Sequence, residues 1–212
     1  MFTGIIETLG KVIFLRKENT NLHIVVESAL APELKIDQSI CHNGVCLTVV
    51  NIEGTTYTIT AIEETLNKTN LRNLEIGSAI NIERSLKLND RLDGHMVQGH
   101  VDTTAQLINI DNKNGSYQLT FSVKDEFKEL IVEKGAICLN GISLTIVNVD
   151  IESSNTAKGS DLFSVAIIPY TWENTNLSLL KINDIVNVEF DVVGKYVRRM
   201  MKADEWPDRN NR

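Results

Sequence analysis

Cys41-His42-Asn43-Gly44-Val45-Cys46-Leu47-Thr48-Val49-Val50 is written twice in this 212-residue chain, because Cys138-Leu139-Asn140-Gly141-Ile142-Ser143-Leu144-Thr145-Ile146-Val147 repeats it 97 residues later. Alternating apolar residues follow Asn-Gly in both copies, so both predict the same short strand at this place. Working outward, Thr3-Gly4-Ile5-Ile6-Glu7 falls on Gln98-Gly99-His100-Val101-Asp102 at an offset of 95. Thr65-Leu66-Asn67-Lys68-Thr69-Asn70-Leu71 falls on Thr171-Trp172-Glu173-Asn174-Thr175-Asn176-Leu177, and Ile80-Asn81-Ile82-Glu83 on Val186-Asn187-Val188-Glu189, both at 106. Four blocks in one order make a duplication. The growing offset requires an insertion, and the polar stretch 152–160 supplies it as a lengthened hairpin loop.

A unit of about 100 residues is too long for a solenoid repeat and suits two tandem domains, each burying its own small core. The polar seam Asn89-Asp90-Arg91-Leu92-Asp93-Gly94 divides the chain into 1–94 and 95–190. Inside each half the apolar period is two, as in Tyr57-Thr58-Ile59-Thr60-Ala61-Ile62 and Tyr117-Gln118-Leu119-Thr120-Phe121-Ser122-Val123. Turn signals at Gly54, Gly77, Gly115 and Gly135 separate the short strands, which favours a small antiparallel barrel or sandwich in each half. Short helical pieces are expected at 31–34 and 124–131. Beyond residue 190, Val193, Tyr196, Val197, Met200 and Met201 recur at helical spacing among Lys195, Arg198, Arg199 and Lys202, giving an amphipathic helix over 191–206 and a tail, 207–212. Such a helix either packs on its own barrels or, having no counterpart in the first half, joins chains.

Composition narrows the partners. Lys and Arg number 21 against 28 Asp and Glu, a net charge of −7, so no basic field attracts nucleic acid or an anionic membrane. No apolar run approaches the ~18 residues of a membrane span, and the first residues lack the pattern of a secretion signal, so a cytoplasmic protein is expected. Cys41, Cys46 and Cys138 show no C-x-x-C spacing, and His95 and His100 lack an accompanying carboxylate motif, so no metal site is expected. The phosphate-cradling, dinucleotide and nucleophile-elbow motifs are missing from the sequence.

Strand alternation puts Cys46, Thr48 and Val50 on the face opposite Leu47 and Val49, and Ser143, Thr145 and Val147 opposite Leu144 and Ile146. One such polar face is explained by Thr being a good strand residue. Its recurrence at the same place in both copies points instead to a pocket wall for a planar ligand with a polar edge. His100 has Ile5 as its counterpart, so an imidazole able to move protons near neutral pH stands in one copy only.

Four features taken together resemble the riboflavin synthases of alpha-chain type, the lumazine-binding repeat family. They are the opening Met1-Phe2-Thr3-Gly4-Ile5-Ile6-Glu7, the duplicated Asn-Gly-x-[Cys/Ser]-Leu-Thr, Gly94-His95-Met96-Val97-Gln98-Gly99-His100-Val101-Asp102, and the twin segments Glu64-Thr65-Leu66 and Tyr170-Thr171-Trp172. The resemblance spans the chain. It implies two six-stranded Greek-key barrels, a C-terminal helix that assembles a homotrimer, no cofactor, and dismutation of two 6,7-dimethyl-8-ribityllumazine molecules bound between the first barrel of one chain and the second of its neighbour. Association with the lumazine-forming enzyme is a further possible partnership.

Carried over by position, the resemblance implies first-barrel contacts at Gly4, Ile5 and Ile6, at Cys46, Leu47 and Thr48, and along Thr60, Ala61, Ile62, Glu63, Glu64 and Thr65. In the second barrel it implies Gly99, His100, Val101 and Lys134, then Ser143, Leu144 and Thr145, then Ile167, Ile168, Pro169, Tyr170, Thr171 and Trp172. Phe2 is expected to cover a ring face. For catalysis the expected roles are His100 as acid and base, Ser143 and Thr145 as positioning or nucleophile-activating groups, and Cys46 either as a contributor or as a thiol that only packs. The competing reading is a non-enzymatic carrier of lumazine or flavin, whose members lose the Gly-His-Val-Asp and Ser-Leu-Thr elements that this chain keeps.

Overall fold

The computed structural model describes residues 1–150 and 160–203. Twelve strands form two closed antiparallel barrels. The first comprises β1 (Thr8–Glu18), β2 (Asn21–Glu27), β3 (Ser39–His42), β4 (Val45–Glu53), β5 (Thr56–Ala61) and β6 (Ala79–Arg84), in the order β1-β2-β5-β4-β3-β6. The second comprises β7 (Thr103–Asn112), β8 (Tyr117–Lys124), β9 (Ala136–Leu139), β10 (Ile142–Asp150), β11 (Ser160–Ile167) and β12 (Ile185–Phe190), and read around the ring its order is the same. The duplication therefore carries into a repeated Greek-key topology.

The Asn-Gly hairpins set the register. Asn43 and Gly44 have φ of 48° and 81°, Asn140 and Gly141 of 47° and 82°, the two successive positive values that a two-residue turn needs to match strand twist. They bring His42 opposite Val45 and Leu139 opposite Ile142. Alternation then buries one face of each strand. Ile24, Val49, Ile59 and Ile82 fill the first core, and Leu119, Phe121, Phe163 and Val188 the second.

Short 3-10 turns occupy Ala31–Glu33 and Asp125–Leu130, where helical pieces were expected. Two helices not anticipated, α1 (Glu63–Lys68) and α2 (Pro169–Asn174), each follow the fifth strand of their barrel. The amphipathic segment forms α3 (Val192–Ala203). Residues 152–159 of the expected lengthened loop, the last turn expected at 204–206 and the tail 207–212 lie outside the described residues. No described helix is long and apolar enough to cross a membrane.

The barrels pack about a local two-fold relation, turn against turn. At the contact six asparagines exchange hydrogen bonds. Asn81 Nδ2 donates to the Asn140 carbonyl and Asn176 Oδ1, both at 2.9 Å, and Asn187 Nδ2 donates to the Asn43 carbonyl at 2.7 Å. The Asn70 amide N–H donates to Asn187 Oδ1 at 2.6 Å, and Asn176 Nδ2 to Asn43 Oδ1 at 2.9 Å. These buried bonds form in a single mutual orientation of the barrels and so fix it, with Asn70 Oδ1 the one buried amide oxygen of the six that has no partner among the described residues.

The two turns meet so closely that a Cβ on Gly44 would stand 2.8 Å from the Gly141 backbone nitrogen. Gly44→Ala is therefore expected to cost roughly 2–3 kcal/mol, combining a left-handed alanine with overpacking against backbone. Gly54→Ala, at φ 61° with open space around it, is the control and should cost only about 1 kcal/mol. Urea unfolding of both variants measures the difference.

Candidate active site

Ahead of each barrel runs a short segment held by one buried carboxylate. Glu83 accepts hydrogen bonds from the Thr3 N–H (2.6 Å), the Thr3 hydroxyl (2.7 Å) and the Gly4 N–H (3.0 Å). Its counterpart Glu189 accepts from the N–H groups of Gln98 (2.7 Å), Gly99 and His100 (both 2.9 Å). Burial pushes both carboxyls above the usual carboxylate range, and the amide donors pull the other way.

These segments cross over. The Ser143 N–H donates to the Gly4 carbonyl at 2.8 Å, and the Cys46 N–H to the Gly99 carbonyl at 2.9 Å. Ile6 packs into the second core and Val101 into the first. The grouping expected from sequence is corrected accordingly: Gly4, Ile5 and Ile6 belong with Ser143, Leu144 and Thr145, whereas Gly99, His100 and Val101 belong with Cys46, Leu47 and Thr48. The physical reason is that each β4- or β10-type strand has a free N–H just after its hairpin, and the partner half's leading segment supplies the carbonyl.

On the second barrel this arrangement opens a cavity of about 420 Å³. Ile5, His95, Lys134, Ser143, Thr145 and Thr171 line it, with Leu144, Ile167 and Ile168 supplying apolar wall and Ala136, Ala166, Gly94 and Asp93 closing the rim. Lys134 is the one cation among these lining residues, and it sits at φ 64°, a left-handed conformation uncommon for a long side chain. Pro169 opens α2 and Tyr170 is exposed.

His95, which the sequence reading set aside, is the imidazole at this cavity. Its Nδ1 lies 2.6 Å from Ser143 Oγ, and its Nε2 is buried without a hydrogen-bond partner among the described residues. Burial lowers its pKa from the ordinary histidine value, the Asp191 charge opposing, so the ring is held neutral near pH 7. A neutral imidazole sharing a proton with a hydroxyl can pass it to or from a bound ligand.

His100 does not reach this cavity. It is exposed on the first-barrel side, beside Gly99 and the half-buried Cys46. The expected trio of His100, Ser143 and Thr145 is thus split within one chain. Along the first barrel Thr48, Ile62, Glu63 and Glu64 are exposed and Thr60 and Thr65 half-buried, while Leu47 and Ala61 turn into the core and leave only backbone groups for a ligand.

Two aromatic expectations are also corrected. Phe2 is completely buried with Cys41, Val97 and Cys138 between the barrels, where its N–H donates to the Val97 carbonyl at 2.7 Å, so it covers no ligand ring. Trp172 is half-buried and stacks on Tyr117 with centroids 4.1 Å apart, packed against the second core instead of lining the cavity. Asp102 accepts from Lys195 at 2.9 Å and from the Phe190 N–H, anchoring α3. Among the described residues no group of three or more His, Cys, Asp or Glu is placed to hold a metal ion.

The lumazine binding domain model matches residues 3–85 and again 98–191. A riboflavin synthase of Actinobacillus pleuropneumoniae is 37% identical over 209 residues, covering 97% of this chain and 93% of that one. The riboflavin synthase of Bacillus subtilis is 33% identical, covering 97% and 92%. Among solved structures, LumP complexed with 6,7-dimethyl-8-(1'-D-ribityl) lumazine is similar at a TM-score of 0.77 and 22% identity, covering 90% of this chain and 99% of that one. LumP complexed with riboflavin gives a TM-score of 0.79 at 23% identity, with the same coverage. Two matched domains in tandem, and relatives above 30% identity along nearly the whole chain, place this protein in the riboflavin synthase family.

Proposed function

We propose that the chain is a riboflavin synthase, a cytoplasmic transferase that needs no cofactor. It moves a four-carbon unit between two 6,7-dimethyl-8-ribityllumazine molecules and yields riboflavin and 5-amino-6-ribitylamino-2,4-pyrimidinedione. The observation that supports this reading is the pair of equivalent crossed contacts, the Gly4 carbonyl on the Ser143 N–H and the Gly99 carbonyl on the Cys46 N–H, one on each barrel. Two copies of one arrangement suit two copies of one substrate. Holding the two rings in a near-attack arrangement can contribute roughly 7–11 kcal/mol by making the step effectively unimolecular.

Proton transfer remains, since the lumazine 7-methyl group must lose a proton and a nucleophile must add to the partner ring. The neutral His95–Ser143 pair serves the molecule on the second barrel, with Lys134 facing developing negative charge on its pyrimidine. Thr145 positions that ring. His100 acts as acid and base from the other side, with Cys46 beside it.

The separation of His100 from Ser143 within one chain favours a homotrimer in which the first barrel of one copy faces the second barrel of the next. The apolar stripe on α3 supports this, because Tyr196 is 68% and Met200 69% exposed. Met200→Glu is expected to convert the assembly to monomers by light scattering and to abolish most turnover while each barrel stays folded. A monomeric parent protein would remove the helix from assembly.

The enzyme and carrier readings separate in one assay. Purified protein incubated with dimethylribityllumazine should develop flavin fluorescence, and binding without conversion would mark a carrier.

A further inference from the structure

We infer that His23 is a positioning residue for the ligand on the first barrel, holding the Thr60 hydroxyl as a hydrogen-bond acceptor toward that ligand. The inference deepens the functional reading above and rests on it.

Thr60 is the counterpart of Ala166, which lines the cavity of the second barrel. Strand pairing makes the correspondence structural, since Val49 opposes Ile59 as Ile146 opposes Val165. In the first barrel, therefore, a hydroxyl stands where the second presents a methyl group.

That hydroxyl is not left to rotate. His23 lies directly opposite Thr60 across β2 and β5, with Nδ1 2.9 Å from Thr60 Oγ1. On the other side its Nε2 is 2.8 Å from Glu18 Oε2, and Arg16, opposite His23 across β1 and β2, holds the same oxygen at 3.1 Å. An ionised carboxylate only accepts, so in the neutral ring the proton sits on Nε2 and Nδ1 is the acceptor. Thr60 must then donate to Nδ1, and its lone pairs are left for a ligand N–H or ribityl O–H.

The second half has no such relay. Its counterparts of Glu18, His23 and Thr60 are Lys113, Gln118 and Ala166, and Gln118 turns to Ser164 at 3.2 Å. The two pockets thus differ in one fixed acceptor, which distinguishes two otherwise identical ligands.

The test is riboflavin titration by fluorescence quenching of the full-length protein, with steady-state kinetics on dimethylribityllumazine. T60V and H23L should each weaken one class of site about fivefold, the worth of one neutral hydrogen bond, and raise KM with little change in kcat. H23N, whose amide oxygen replaces Nδ1, should restore affinity. Parent-like affinity in H23L, or H23N as weak as H23L, would overturn the inference while leaving the function standing. A parent protein that binds neither riboflavin nor lumazine would overturn the functional reading, and this inference with it.

Discussion

A Ser143→Ala protein is expected to form riboflavin about a hundredfold more slowly than its parent, the lower end of what a positioned proton-transfer group contributes. Among the described residues Ser143 is the only hydrogen-bond partner of the His95 ring, at 2.6 Å, and the other ring nitrogen is buried and unpaired. Removing the hydroxyl leaves the imidazole unoriented and takes away the group with which it shares a proton. The backbone N–H of residue 143 still meets the Gly4 carbonyl, so the cavity wall survives and lumazine affinity should change little. The expected signature is a fall in kcat at nearly constant KM, measured by riboflavin fluorescence. An unchanged kcat would remove the His95–Ser143 pair from the chemistry.

Glu189→Gln should cost roughly 3–5 kcal/mol of stability and most of the activity. Three N–H groups converge on the Glu189 carboxylate, and hydrogen bonds to a charged acceptor are worth about 1.5–3 kcal/mol each. An amide keeps one acceptor oxygen and turns its NH2 toward the remaining donors. The segment carrying Gly99 and His100 then loses its anchor and the first-barrel pocket loses its rim. Urea unfolding and turnover, measured together, check the prediction. A loss of stability without a loss of turnover would show that the segment holds its place by packing alone.

What the sequence disclosed and what it hid follow from locality. Glu53-Gly54 and Asn114-Gly115 are turn signals within two residues, and alternation in 57–62 and 117–123 needs only the strand itself. The barrels were therefore legible. The helices α1 and α2 are six residues each, too short to establish a 3.6-residue period, and their twin segments read only as a repeat.

The site was legible as a set of positions and not as an arrangement. Matching Gly4 with Gly99 says that they are equivalent; it does not say which barrel each leans on. The exchange appears only in the fold, where the Ser143 N–H takes the Gly4 carbonyl and the Cys46 N–H the Gly99 carbonyl. His95 escaped because it sits in the connector, where the first half has no residue to compare. Its proximity to Ser143 depends on a contact 48 residues apart. Phe2 misled because an aromatic near a chain start reads as accessible, whereas the two-fold packing of the barrels encloses it.

The proposed active site is shared between two chains, His100 contributed by one and Ser143 by the next. Mixing His100→Gln and Ser143→Ala proteins, unfolding them together and letting them reassociate tests this directly. In a random closed ring about one contact in four pairs an intact first pocket with an intact second, so the mixture should recover about a quarter of parental riboflavin formation from two nearly inactive proteins. A mixture no more active than its two components would place both groups in sites formed within single chains and contradict the account.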